Sequence, residues 1–469
     1  MLAAGVVASA LSRRAGLPSM LGYLLTGIVI GPASLAWVPD RADTLYLAEF
    51  GVVFLMFSIG LEFSLQRLQA MRSAVFGLGL AQVLITLAAV AGIGIATGLS
   101  WQAAIAMGAV LAMSSTAIVS KLLVEQNELH AQHGRQVMGL LLFQDLAVVP
   151  LLILIPALGA ATENLLPSLG LAFLKATLLL AVLLLFGQRI MGWWVHLIAR
   201  YKSTELFMIN VLLMTLGLAY ITAQAGLSLA LGAFVAGMLI SETDYRYQVE
   251  ADIKPFRDVL LGLFFLTVGM ALNLREVADN LPWVGLTLAG LVAGKVVLIG
   301  LLARFFGSGP AVALRVGLFT AQAGEFGFVL LALADDYHQI PSRTVQVVLA
   351  AMVLSMMLAP LVIHHAGTVV HWLLPGDRAT REREAHEVAL QTAGVQDHVI
   401  VCGYGRTGQS VARLLKRAGI PFVALDVDPK LVKVAAQAGE NVVFGDASRR
   451  EVLHAAGIGR ARALVVAYA

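Results

Sequence analysis

Cysteine is almost missing from this sequence: of 469 residues, Cys402 alone carries a thiol. That excludes an intramolecular disulfide and a metal site built from cysteines. Charge is scarce too, at 13% of residues with a formal net charge of +3. A balance so close to zero says little about partners, and no nucleic acid is expected among them. No basic stretch precedes the first apolar run and no processing site follows it, so no cleavable signal peptide is read. A TVGYG-like filter loop is also lacking, which disfavours a potassium channel.

What fills the chain is apolar. Hydrophobic residues make up 59% of it, and the mean hydropathy is +0.84. The fold class is therefore a polytopic α-helical membrane protein. Its 45 glycines suit close helix packing and interrupted helices better than long regular rods. A spanning helix needs ~20 apolar residues, and this ruler yields about thirteen stretches. They run roughly over 1–13, 17–32, 44–62, 73–97, 101–123, 136–160, 168–190, 204–224, 227–241, 256–273, 281–306, 311–334 and 342–372. The first is too short to span, and a start upstream of Met1 is expected. With the spans alternating across the bilayer, Arg13, Arg14, Arg67, Arg72, Arg135, Arg200, Lys202, Arg246, Lys254, Arg257 and Arg315 share one side. Only Arg41, Arg275 and Arg343 fall on the other. The basic side is cytoplasmic, and the polar tail after the last span lies there.

The chain repeats itself. GLPSMLGYLLTG from Gly16 aligns with GLSLALGAFVAG from Gly226, and FLMFSIGLEFSL from Phe54 with LFFLTVGMALNL from Leu263. Gly108 then falls on Gly317, which sets Met113–Ala117 opposite Gln322–Phe326. An odd number of spans separates the copies, so the halves are expected in inverted topology, with a site at their interface near mid-membrane. The matched spans carry polar clusters mid-helix: Ser114, Ser115 and Thr116 in one, Gln322, Gly324 and Glu325 in the other. These are the expected breaks of two crossing discontinuous helices, whose freed backbone groups can serve ions. Ordinary Ser/Thr back-bonding inside intact helices is the alternative.

One acid stands inside an apolar run long enough to cross a bilayer. Asp145, beside Gln144 in LLFQDLAVVPLL, is read as the working group, because an intramembrane carboxylate normally faces a wet cavity. It lies ~14 Å into its span, and Lys295 lies ~21 Å into another entered from the opposite face, at 1.5 Å per residue. Both reach the middle of the bilayer, so Lys295 is expected to pair with Asp145 and to exchange that partner for a cation. Lys121 and Lys175 sit nearer helix ends and snorkel. Glu49 and Glu62 are placed at the membrane interface.

After Leu374 the composition changes. Residues 1–374 are read as the membrane domain, 375–397 as a charged linker, and 398–469 as the first part of an α/β domain. Gly403, Gly405 and Gly408 form G-x-G-x-x-G between an apolar strand and an amphipathic helix, and Asp426 follows about 18 residues on, at the end of the next strand. Such a loop brings backbone N–H groups to phosphates, and the acid holds ribose hydroxyls. Gly403, Tyr404, Gly405, Arg406, Thr407 and Gly408, with Asp426 and Asp446, are the expected nucleotide-binding residues. The chain stops within this partial Rossmann-like fold, and a sequence cut at both ends is expected.

LLFQDLAVVP, MSSTAIV, LLGLFFLTVGMALNL, QAGEFGFVL and CGYGRTGQ with FGDA resemble the Kef-type glutathione-gated potassium-efflux systems of bacteria. These belong to the second monovalent cation:proton antiporter family. The likeness runs over essentially the whole chain, and Gln144-Asp145 is the pair this group carries where sodium-selective relatives carry Asn-Asp or Asp-Asp. The resemblance implies potassium-for-proton exchange, with Asp145 as the monovalent-cation ligand and Ser114, Ser115, Thr116 and Glu325 along the ion path. It also implies a homodimer in the lipid bilayer of the bacterial inner membrane and a cytoplasmic regulatory domain holding an adenine nucleotide (AMP or NAD(H)). Gating by glutathione and its adducts through Arg406, Glu250 and Asp252, and a soluble oxidoreductase as ancillary subunit, are implied as well. The loop Gln248–Phe256 departs from the family in carrying Lys254 where an acid is usual. Rival readings are a sodium/proton antiporter of the same fold, a ligand-gated potassium channel, and a dehydrogenase. The last lacks any substrate domain beside the glycine loop.

Overall fold

A computed structural model describes residues 2–14, 18–38, 42–62, 72, 74–129, 131–160, 187–225, 227–374, 388–390, 392, 394–447 and 450–467. The expected span over 168–190 lies almost wholly outside the described residues, as do Gly16, Gly226, Arg41, Arg67, Lys175 and most of the linker 375–397. The chain divides into two units, Met1–Ala366 and Gly367–Ala469.

The first unit is helical. Its helices are α1 (Leu2–Arg14), α2 (Ser19–Ile30), α3 (Ala42–Glu62), α4 (Ala74–Ala96), α5 (Trp101–Ala112), α6 (Thr116–Glu125), α7 (Gln132–Ala160) and α8 (Gln188–Ala199). There follow α9 (Thr204–Gln224), α10 (Leu229–Ser241), α11 (Arg246–Met270), α12 (Leu274–Asp279), α13 (Leu281–Phe305), α14 (Pro310–Phe319), α15 (Glu325–Asp336) and α16 (Ser342–His364). Local chemistry sets many of the starts. Ser100, Ser115, Ser203 and Ser228 each accept a hydrogen bond from the backbone N–H three residues on, which satisfies a donor the helix cannot. Pro18 and Pro341 stand just before α2 and α16, and Pro310 opens α14.

Among the described residues six stretches are long and apolar enough to cross a membrane: Ala74–Ala96, Trp101–Glu125, Gln132–Gly159, Glu205–Gln224, Leu281–Phe305 and Ser342–His364. This part of the chain is membrane-embedded. The loop expected over Gln248–Phe256 is a correction: the stretch forms the first turns of α11, with Pro255 inside the helix. Its charges lie on an amphipathic helix whose other face is fixed by Val249 and Ile253, four residues apart and both buried. That burial outweighs the single backbone bond the proline ring removes.

The repeat read in the sequence returns as contacts. Gly22 backs onto the Ala8 carbonyl and the Ser12 hydroxyl; Gly232 backs onto the Leu218 carbonyl and the Thr222 hydroxyl. Gly27 lies against Leu266 and Gly269 as Gly237 lies against Phe57 and Gly60, and Gly108 meets Leu87 as Gly317 meets Val296. A Cβ at any of these glycines would overlap its neighbour, so the small residue is what lets the helices touch. Each contact in the second half keeps one sequence spacing from its counterpart, with a slip of a single residue. Chance likeness between glycine-rich helices would not reproduce the partners.

The second unit begins with α17 (Ala366–Leu373) and holds β1 (Val399–Cys402), α18 (Arg406–Arg417), β2 (Phe422–Asp426), α19 (Pro429–Gln437), β3 (Val442–Phe444), α20 (Arg450–Ala455) and β4 (Ala463–Val466). The strands form one parallel sheet in the order β3-β2-β1-β4. Val399 and Val401 pack on one face with Ala412 and Ala435, and Ile400 and Cys402 on the other with Val452 and Ala456. Burial on both faces explains the unbroken apolar run VIVC. The strand order reverses between β2 and β4 about β1, so the glycine loop after β1 opens at the switch point where such sheets bind ligands.

Candidate functional site

Helix is lost at Met113–Ser115, between α5 and α6, and at Thr320–Gly324, between α14 and α15. The two breaks touch. The Ser114 hydroxyl donates to the Thr320 carbonyl at 2.9 Å, and a Cβ on Gly324 would stand 2.5 Å from the Ser114 carbonyl carbon. Gly324→Ala is therefore expected to lower thermal stability by roughly 1–3 kcal/mol, the usual cost of overpacking. Gly309→Ala, where an added Cβ meets nothing within 4 Å, is the control in the same melting experiment.

Side chains from neighbouring helices satisfy the freed backbone. The Ser114 N–H donates to Gln144 Oε1 at 2.8 Å, and the Ala323 N–H donates to the Ser355 hydroxyl at 3.1 Å. Gln144 Nε2 donates to Gln82 Oε1 at 2.7 Å and to the Ala112 carbonyl at 3.1 Å, while Gln82 Nε2 reaches the same carbonyl at 3.0 Å. Gln144 is fully buried, with its amide committed to the first break. Lys295 Nζ donates to the Met113 carbonyl at 2.8 Å, to the Ser114 hydroxyl at 2.8 Å and to the Gln322 carbonyl at 3.0 Å. An ammonium has three hydrogens, and here all three are used.

Asp145 stands elsewhere. Its two carboxylate oxygens accept from the Thr116 hydroxyl at 3.0 and 3.2 Å, and it makes no ion pair with Lys295. The expected pairing of the two is thus absent from this structure. The reason is electrostatic. Lys295 sits where the carbonyl ends of α5 and α14 carry partial negative charge, while Asp145 sits at the positive N-terminal end of α6. The two ends also differ in access: Lys295 is 3% exposed, whereas Asp145 and Thr116 are half-buried and Ala117 is exposed. Glu325 opens α15, is buried, and accepts from the Ala117 N–H at 3.4 Å. The crossing thus brings together Ser114, Ser115, Thr116, Gln144, Asp145, Lys295 and Glu325. Gln82 and Ser355 join them without having been expected, although each is a buried polar residue inside a largely apolar helix. Glu250 and Asp252 lie apart from the crossing, half-buried on α11.

In the second unit each glycine has its own task. Gly403 has φ +92°, a conformation other residues seldom adopt. Gly405 faces open space, leaving its backbone approachable, and Gly408 packs directly on the Gly403 carbonyl. Asp426 Oδ2 accepts from the Tyr404 N–H at 2.6 Å, and Oδ1 accepts from the Asp428 N–H at 2.8 Å. Arg406 and Thr407 are exposed on the first turn of α18, and Asp446 is half-buried just past β3. An open glycine loop at a helix N-terminus, with a carboxylate at the next strand end, fits a nucleotide.

The profile described as sodium/hydrogen exchanger, transmembrane, matches residues 1–368, and that of the TrkA-N domain matches residues 399–469. This chain belongs to the sodium/hydrogen exchanger family. The chloroplastic K(+) efflux antiporter 1 of Arabidopsis thaliana is 42% identical over 96% of this chain, which spans 38% of that relative's length. A putative K(+) efflux antiporter KefB of Alkalimonas amylolytica is 40% identical over 98% of this chain and 70% of its own. Among solved structures, the sodium proton antiporter MjNhaP1 of Methanocaldococcus jannaschii has a TM-score of 0.55 at 15% identity, covering 78% of this chain and 95% of that one. At that identity the likeness is one of fold.

At the ends of its membrane spans, this exchanger-family chain ties the loop after α6 to α7 and α14. Glu128 accepts from Arg315 Nη1 at 3.0 Å and lies 2.9 Å from His133 Nε2. The hydrogen bond from His133, aided by the charge of Arg315, holds the Glu128 carboxyl below its usual range. A depressed carboxyl contributes stability above the unfolded value of ~4.3 and loses it as pH falls through its own lower value. Glu128→Gln is expected to melt lower by ~1 kcal/mol at neutral pH, with the difference vanishing in acid. Melting curves of both proteins across that range measure it.

Proposed function

We propose that this chain is a potassium/proton antiporter of a bacterial cytoplasmic membrane, exporting potassium in exchange for protons. One observation carries the reading: Asp145 is a half-buried carboxylate at a helix break, held among the described residues by the Thr116 hydroxyl, while the lysine at similar depth is spent on the backbone and Ser114 hydroxyl of the breaks. A carboxylate of this kind binds a proton or a cation in turn, which couples the two movements. Ser115, Thr116 and freed backbone of the breaks replace water around the ion, and Glu325 flanks the path. Gln144, Ser114 and Lys295 hold the crossing in shape. About thirteen spans in two inverted halves, one moving against the other, would give alternating access. The names of the K(+) efflux relatives and the Gln144-Asp145 pair support potassium as the substrate.

In this reading the TrkA-N domain is cytoplasmic and binds AMP or NAD(H) through Gly403–Gly408, Asp426 and Asp446. Its bound ligand shifts the transporter only as far as it prefers one state over another. Asp426→Ala is expected to weaken AMP or NADH binding at least about tenfold by calorimetry, as loss of a charged ribose contact does. Gating by glutathione, with Arg406 on the TrkA-N domain and Glu250 and Asp252 on α11 as separate candidate residues, a homodimer, and an ancillary soluble oxidoreductase complete the proposal.

Proton movement driven by an imposed cation gradient in proteoliposomes tests the central claim. Potassium-driven movement that sodium does not replace supports it. A preference for sodium would favour the sodium/proton antiporter that the family's name also fits, and potassium current without proton flux would favour a channel.

A further inference from the structure

We propose that Glu325 is a second carboxylate ligand of the transported cation, acting with Asp145 at the first turn of α6; the inference rests on the reading of Asp145 as the carrier. Glu325 is 6% exposed. Its Oε1 accepts from the Ala117 N–H at 3.4 Å, and its Oε2 is buried with no hydrogen-bond partner among the described residues. Ala117 follows Thr116, whose hydroxyl holds Asp145. Two carboxylates carried by different helices, α7 and α15, therefore meet consecutive residues of one helix end.

No basic side chain of the described residues neutralises Glu325. Lys295 spends its three hydrogens on Met113, Ser114 and Gln322, and Arg315 is paired with Glu128. The N-terminal end of a helix offsets only part of such a charge, and a buried carboxylate oxygen left unpaired is among the most costly groups in a protein. Gln322, 2% exposed in the same break, also has an unpartnered Nε2. Buried polar atoms without partners among the described residues thus remain at the second break, in Gln322 and Glu325, while the Met113 and Ser114 oxygens of the first break are matched by Lys295. That asymmetry is expected where a charge arrives and leaves. A potassium ion gives up water only to a shell of oxygens, and Asp145, Thr116 and Glu325 supply oxygens from three helices. In the repeat Glu325 occupies the place of Thr116, so each broken helix contributes the first side chain after its break.

Calorimetric titration of the purified full chain with potassium, and with thallium(I) as its heavier substitute, tests this at fixed neutral pH. Glu325→Gln is expected to weaken binding at least about tenfold, as loss of a charged ligand does, and Glu325→Asp to recover part of it. Affinity lost in Asp145→Asn but unchanged in Glu325→Gln overturns the role of Glu325 and leaves that of Asp145 standing. Affinity unchanged in both overturns both. Should Glu325→Gln fail to fold, a thallium-loaded structure of the unaltered chain decides. Density touching both carboxylates supports the proposal; density on Asp145 alone, or away from both, overturns it.

Discussion

Asp145→Asn is expected to bring potassium-driven proton movement in proteoliposomes down to the level of empty vesicles. Asparagine keeps the size of the side chain and an acceptor for the Thr116 hydroxyl, so the bond at 3.0 Å survives. What it removes is the ability to hold a proton on one side and a cation on the other. Thermal stability should stay within ~1 kcal/mol of the unaltered protein, because no cavity is created and the new amide N–H groups belong to a half-buried side chain. That combination, an intact fold with no exchange, separates a carrier from a packing residue. Full exchange in the variant would end the claim that Asp145 carries the ion. A fall in exchange matched by a collapse in melting temperature would mean that the carboxylate only holds α6 to α7.

Much of this was legible in the sequence because a bilayer punishes polar groups. Ser114, Ser115, Thr116, Gln144, Asp145, Lys295, Gln322 and Glu325 stand out in apolar runs, and the structure gathers them at one crossing. The repeat was legible for a related reason: where backbones touch only glycine fits, so both halves kept it at Gly108 and Gly317. The partner of Lys295 was not legible. Depth along a helix gives the height of a side chain but not its direction, and its partners are mostly backbone carbonyls, which no residue type announces. Gln82 and Ser355 carry the same signal, since each is a buried polar group in a largely apolar helix. The stretch Gln248–Phe256 was misread because charge and a proline imitate a loop, while the burial of Val249 and Ile253 that makes it helical shows only with the fold.

The division of labour between Asp145 and Lys295 yields the second large effect. Lys295→Ala leaves the Met113 and Gln322 carbonyls without their donor in a buried place, and the Ser114 hydroxyl with only the longer bond from Gln144 at 3.3 Å. Stability is expected to fall by ~3–5 kcal/mol, the range seen when a buried charged group is removed from its partners. Exchange should fall with it, since the two breaks are joined through this ammonium. A pair model and a brace model differ in the double variant. If Lys295 neutralised Asp145, adding Asp145→Asn would relieve the loss and the two changes would be strongly coupled. Because no ion pair joins them, melting measurements on the two single variants and the double variant should be additive within about 0.5 kcal/mol. Coupling of several times that size would restore the ion pair as a feature of the resting protein. Additivity would assign the lysine to the helix ends, leaving the carboxylate at the other ends free for the ion.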